Sequence, residues 1–136
     1  MWPGLTSDCR GWFTMFSGLF GAVGVIAGAV GTHLLQERLP PAEFVVFTTA
    51  ITYLLLHSVA LFGCGVALYS HADNRWFKLA GVFLVTGIVL FCGSLIIRSV
   101  TGSLFSAKIA PVGGSALILG WLFIAIGGFR LAGTSE

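Results

Sequence analysis

The sequence predicts an all-α membrane protein, a four-transmembrane-helix antiparallel bundle with short loops, and three observations predict it. Hydrophobic residues make up 57% of the 136 and charged residues only 9%, against about 25% charged in soluble chains. The apolar residues fall into four blocks, 12–35, 43–69, 76–100 and 109–131, each long enough to cross a bilayer core that needs about 20 helical residues. The breaks between blocks are short, so consecutive spans alternate in direction and residues 1–136 read as a single four-helix transmembrane domain. A net charge of +2 with scattered basic residues gives no patch for nucleic acid.

Residues 1–11 carry one base and one acid, Arg10 and Asp8, too few for an Arg-rich transit peptide. The first span is longer than a signal-peptide core and reads as a retained helix. It carries a glycine seam, Gly18, Gly21, Gly24, Gly28 and Gly31, whose 3-3-4-3 spacing keeps one face small. Such a face lets a neighbouring backbone approach closely. The same thin wall would also suit a substrate path. Bulky residues of span two, Tyr53 and several leucines, are the expected neighbours.

Pro40 and Pro41 end the first helix and open the second, with Glu43 placed where the helix dipole favours an acid. His33 then lies near one membrane surface, as an interfacial residue capping backbone or pairing with Glu37. Span two holds the most informative stretch. Thr49, Tyr53, His57 and Cys64 recur at helical spacing, and a polar stripe inside a membrane must face protein or water. Ser70 to Lys78 is a polar connection in which Tyr69, Trp76 and Phe77 read as interfacial aromatics. Span three ends near Arg98, which can snorkel. Residues 99–108 read as the third connection, with Pro111 at the start of span four and Gly113 and Gly114 leaving its first turn open to a neighbour. Cys9, Cys64 and Cys92 read as packing residues rather than a redox or metal set.

Lys and Arg near the spans divide four to three. Arg10, Arg75, Lys78 and Arg130 lie on the side of both termini, and Arg38, Arg98 and Lys108 on the other. The count favours termini on the cytoplasmic or matrix side, and the membrane reads as a bacterial cytoplasmic or mitochondrial inner one.

Aligning the helices by depth, at about 1.5 Å per residue, allows a polar layer of His57, Tyr53, Thr86, Ser94 and Ser115. Two roles are open for His57: a neutral histidine tying helices together, or a group that titrates or binds a ligand. No Asp or Glu lies deep within a span, which counts against a proton relay and against hydrolytic chemistry. No phosphate loop, paired-histidine helix or CxxC pattern is present. No metal and no cofactor is expected, although bound lipid fits such a chain.

The order of several motifs resembles the small DUF423 membrane family, which includes the transmembrane protein 256 group. These are Gly28-Ala-Val-Gly-Thr-His33-Leu, Phe47-Thr-Thr-Ala with Tyr53, His57, Ala60 and Leu61, then Gly93-Ser-Leu95, Pro111-Val-Gly-Gly114 and Gly120-Trp121. They run from about Gly21 to Trp121. The chain departs from the family's usual pattern at Thr32 (commonly Ala), Leu54 (commonly Gln) and Ile96 (often Tyr). The resemblance implies about four membrane helices and no established activity.

The expected function is a non-enzymatic accessory or structural subunit of a larger membrane complex, in contact with lipids and other subunits. The alternative is a carrier or channel for a small solute using the Tyr53/His57 stripe. An open polar cavity reaching His57 from one face would separate the two.

Overall fold

A computed structural model of the protein describes residues 9–133, so the reading of residues 1–8 lies outside the described residues. Among the described residues four helices are long and apolar enough to cross a membrane: α1 Cys9–Leu35, α2 Pro41–Ser70, α3 Arg75–Thr101 and α4 Leu104–Ala132. Local chemistry sets their ends. Pro41 occupies the first turn of α2 behind an extended Pro40, where its missing N–H leaves nothing unsatisfied. Asn74 caps α3, its Oδ1 accepting from Trp76 N at 3.0 Å and Phe77 N at 3.4 Å. Cys9 belongs to α1 rather than to a segment outside it.

The start of α4 differs from the sequence reading. The helix begins at Leu104, and Pro111 lies inside it, so the third connection shrinks to Gly102 and Ser103. Gly102 permits this, with a left-handed φ of 69° at the end of α3 that a side chain would resist. Burial of Ser106 and Ala110 then draws the chain into helix ahead of the proline, which removes a single backbone donor.

The helices pack in chain order. α1 lies on α2, α2 on α3 and α3 on α4, while α4 makes no extended contact with either α1 or α2. The shared core contains Leu54, Leu61, Cys64, Leu84, Ile88, Cys92 and Leu117, and all three cysteines are free. Phe77 is a core residue, 7% exposed, not an interfacial one. Tyr69 and Trp76 instead meet arginines: the Arg10 guanidinium lies 5.1 Å from the Tyr69 ring centre, and those of Arg75 and Arg130 lie 4.9 and 5.5 Å from that of Trp76.

Glycines set how close the helices come. Gly21, Gly24, Gly28 and Gly31 of α1 face Ser58, Leu55, Ile51 and Phe47 of α2, while Tyr53 points elsewhere. On α4, Gly113, Gly120 and Gly127 fall seven residues apart and receive the Phe91 backbone, Leu84 and Phe77 of α3. Gly114 touches the Phe91 ring at a distance appropriate to a side chain, 3.6 Å from its would-be Cβ. The sequence reading singles out Gly113 and Gly114 for packing, quotes Gly120 only within a family motif and does not name Gly127; their heptad spacing is the available signal. Where Gly113 meets α3, the helix widens into a π turn, Ile88–Cys92.

These contacts give a paired prediction. In Gly113→Ala the new Cβ meets α3 backbone, so overpacking should cost about 1–3 kcal/mol. Gly18→Ala, with nothing within 4 Å, should leave stability unchanged or raise it by up to about 1 kcal/mol. Unfolding midpoints in one detergent would check both.

Candidate functional site

His57 is placed by the middle of α2, about 20 Å from either end of that helix at about 1.5 Å per residue. That depth is close to the bilayer midplane. The residue is 3% exposed. Its Nδ1 lies 2.6 Å from the carbonyl oxygen of Tyr53, one helical turn back. A carbonyl only accepts, so Nδ1 carries the proton and donates. In the neutral ring, Nε2 then holds a lone pair, and it has no hydrogen-bond partner among the described residues.

Aromatic rings surround the imidazole. The Tyr53 ring stacks on it with centres 5.5 Å apart at 24°, and Trp121 of α4 meets it at 6.1 Å and 69°. Phe91, in the π turn of α3, lies 5.0 Å from Tyr53. Because α2 and α4 do not pack on each other, a groove of about 390 Å³ runs between them, lined by Tyr53, Leu56, His57, Phe91, Gly114, Leu117, Ile118 and Trp121. Leu56, Ile118 and Trp121 on its rim are exposed, at mid-helix positions, so the groove opens sideways toward lipid. Apart from Tyr53 and His57 its walls are apolar.

Thr49 of the α2 stripe and Ser94 and Ser115 of the expected polar layer do not join this site. Thr49 Oγ1 donates to Val45 O at 2.8 Å, Ser94 Oγ to Phe91 O at 2.9 Å and Ser115 Oγ to Pro111 O at 2.9 Å. Each hydroxyl is satisfied by its own helix, the cheapest solution in hydrocarbon. Ser115 is exposed and lines a different groove with Thr86, Phe83 and Leu119. Depth alone puts Ser94 and Ser115 near the level of Tyr53; their direction around the helix axis separates them from the site.

His33 is exposed in a second π turn, Gly31–Leu35, at the end of α1, and forms no ion pair with Glu37 among the described residues. Instead, Glu43 at the start of α2 lies 3.9 Å from Arg98 near the end of α3, tying those ends at one membrane face. Among the described residues no three His, Cys, Asp or Glu side chains gather as a metal site. Sequence reasoning does not place Phe91 at the site and quotes Trp121 only within a family motif. For Trp121 a signal existed: a tryptophan in mid-span, away from the interfaces where that residue concentrates.

Comparison with known proteins gives a consistent picture. The family model for DUF423, a protein family of unknown function, matches residues 27–114. The UPF0382 inner membrane protein YgdD of Escherichia coli K12 is 32% identical over 117 residues, 86% of this chain and 88% of that protein. The UPF0382 membrane protein SAB0533 of Staphylococcus aureus is 34% identical over 122 residues, 89% and 98% of the two chains. That of Staphylococcus saprophyticus, SSP2132, is 33% identical over 120 residues, 88% and 98%. No solved structure matches.

Because the hydroxyls bond within their own helices, Ser94→Ala and Ser115→Ala should each change stability by no more than about 1 kcal/mol. Loss of several kcal/mol in either variant, read from detergent unfolding curves, would mean that the hydroxyl bridges helices in the membrane.

Proposed function

The chain belongs to the DUF423 family of membrane proteins, and on that premise we propose that it serves as a non-enzymatic accessory subunit of a larger membrane complex. The observation that carries this reading is the closed interior. Leu54, Leu61, Leu84, Ile88 and Leu117 fill the space between helices, and glycine contacts close the α1–α2 and α3–α4 seams. A carrier or channel needs a polar path from a membrane face to its binding residue. The groove at His57 has apolar walls and opens sideways, which favours action through the outer surface of the bundle. Lipids and neighbouring subunits are the partners that such a surface meets.

The bacterial relatives support a bacterial cytoplasmic membrane as the location. The four-to-three division of basic residues supports termini on the cytoplasmic side. Cys9 is exposed whereas Cys64 and Cys92 are buried, so a membrane-impermeant maleimide reports the side directly. Labelling of Cys9 is expected only after spheroplasts are lysed; labelling of intact spheroplasts would reverse the orientation.

Extraction of the native membrane in mild detergent, followed by native-gel sizing and mass spectrometry, tests the subunit reading. Co-migration with defined partners at a size far above 14.3 kDa is expected. Migration as a lone monomer or small homo-oligomer would contradict it and return attention to transport.

A further inference from the structure

We propose that the groove between α2 and α4 binds the reduced, quinol form of a membrane quinone, whose ring hydroxyl donates a hydrogen bond to Nε2 of His57. This goes beyond the subunit reading and does not depend on it.

Three observations converge on that class of ligand. The first is the state of the imidazole. Nδ1 is committed as donor to the Tyr53 carbonyl, and holding a charge at this depth is costly, so the neutral ring offers the groove an acceptor and nothing else. A side chain 3% exposed, with an unmatched lone pair turned into an apolar groove, is a polar group in need of a donor. A quinol carries two O–H donors. The oxidised quinone carries only carbonyl acceptors and would set one lone pair against another.

The second observation is depth. His57 lies near the bilayer midplane. Phospholipid headgroups and the hydroxyls of interfacial lipids are held about 15 Å away, at the edge of a core about 30 Å thick. A ligand bringing a donor to His57 must be apolar enough to occupy the hydrocarbon interior as a whole, with a single small polar head.

The third is the shape and lining of the groove. A volume of about 390 Å³ lies within the range of small-molecule sites, about 300–1,000 Å³. Tyr53, Phe91 and Trp121 give it three aromatic walls, suited to the face and edges of a six-membered ring. Gly114, with no side chain, lets such a ring lie against the α4 backbone beside Phe91. The exposed rim allows an isoprenoid tail to leave sideways into lipid.

The test uses the full chain in nanodiscs, with decylubiquinol and decylubiquinone as probes under anaerobic conditions and empty nanodiscs as the blank. Saturable retention of about one quinol per chain is expected, with the reduced form at least tenfold tighter than the oxidised form. His57→Phe should abolish that preference, whereas His57→Gln, whose amide oxygen can accept, should retain part of it. Equal retention of the two redox forms by the wild-type protein would overturn the proposal, whether or not His57→Phe folds. So would retention no greater than that of empty nanodiscs, the result expected if a second copy or a partner helix supplies the donor to Nε2.

Discussion

A hydroxyl inside a bilayer has no water to turn to, and the hydroxyls of Thr49, Ser58, Ser94 and Ser115 each bond a carbonyl three or four residues back on their own helix. The rest of the molecule follows from that constraint. Polar groups spent within a helix do not hold one helix to the next, so cohesion must come from close packing. The chain supplies it with small residues: Gly24 and Gly31 admit Leu55 and Phe47 of α2, and Gly113 admits the backbone of α3. Close backbone approach of this kind multiplies many weak dispersion contacts.

Packing by glycine seams also sets the plan of the bundle. α1 spends its small face on α2, and α4 spends its small face on α3. Neither seam joins α2 to α4, and the space between them becomes the groove. The π turn at Ile88–Cys92 lies where Gly113 presses on α3, and it carries Phe91, which bridges toward Tyr53 and floors the groove. Extra residues of this type inside a helix recur at functional sites, and here one lies beside His57, whose Nε2 has no hydrogen-bond partner among the described residues. His57 cannot be treated as the serines are. One of its nitrogens finds a carbonyl on α2, but the geometry that satisfies Nδ1 directs Nε2 away from the helix.

The four spans and the small face of α1 were legible because they depend on quantities a sequence carries: apolar length and helical periodicity. His57 and Tyr53 stood out for the same reason, as ionisable and polar residues in an apolar run. The shared layer with Ser94 and Ser115 was not legible. Depth along a helix can be counted from residue numbers, but rotation about its axis depends on which neighbour it packs against, and Ser115 turned out to face the opposite groove. The start of α4 was misread because a proline ordinarily marks a helix end or first turn; the left-handed Gly102 and the buried Ser106 and Ala110 outweighed that cue. Phe91 was hidden by the π turn, which shifts its direction relative to a regular helix.

Among the described residues the hydroxyls of Thr49, Ser58, Ser94 and Ser115 bond within their own helices, whereas Nε2 of His57, deep in the bundle, is left as an acceptor beside the groove between α2 and α4. Solid-state NMR of the ¹⁵N-histidine-labelled protein in lipid bilayers, with His33 and His71 replaced to isolate the signal, reads this directly. The account predicts a neutral ring with the proton on Nδ1 and an unprotonated Nε2 in the ligand-free protein. A proton on Nε2, in either the opposite tautomer or the imidazolium, would contradict it.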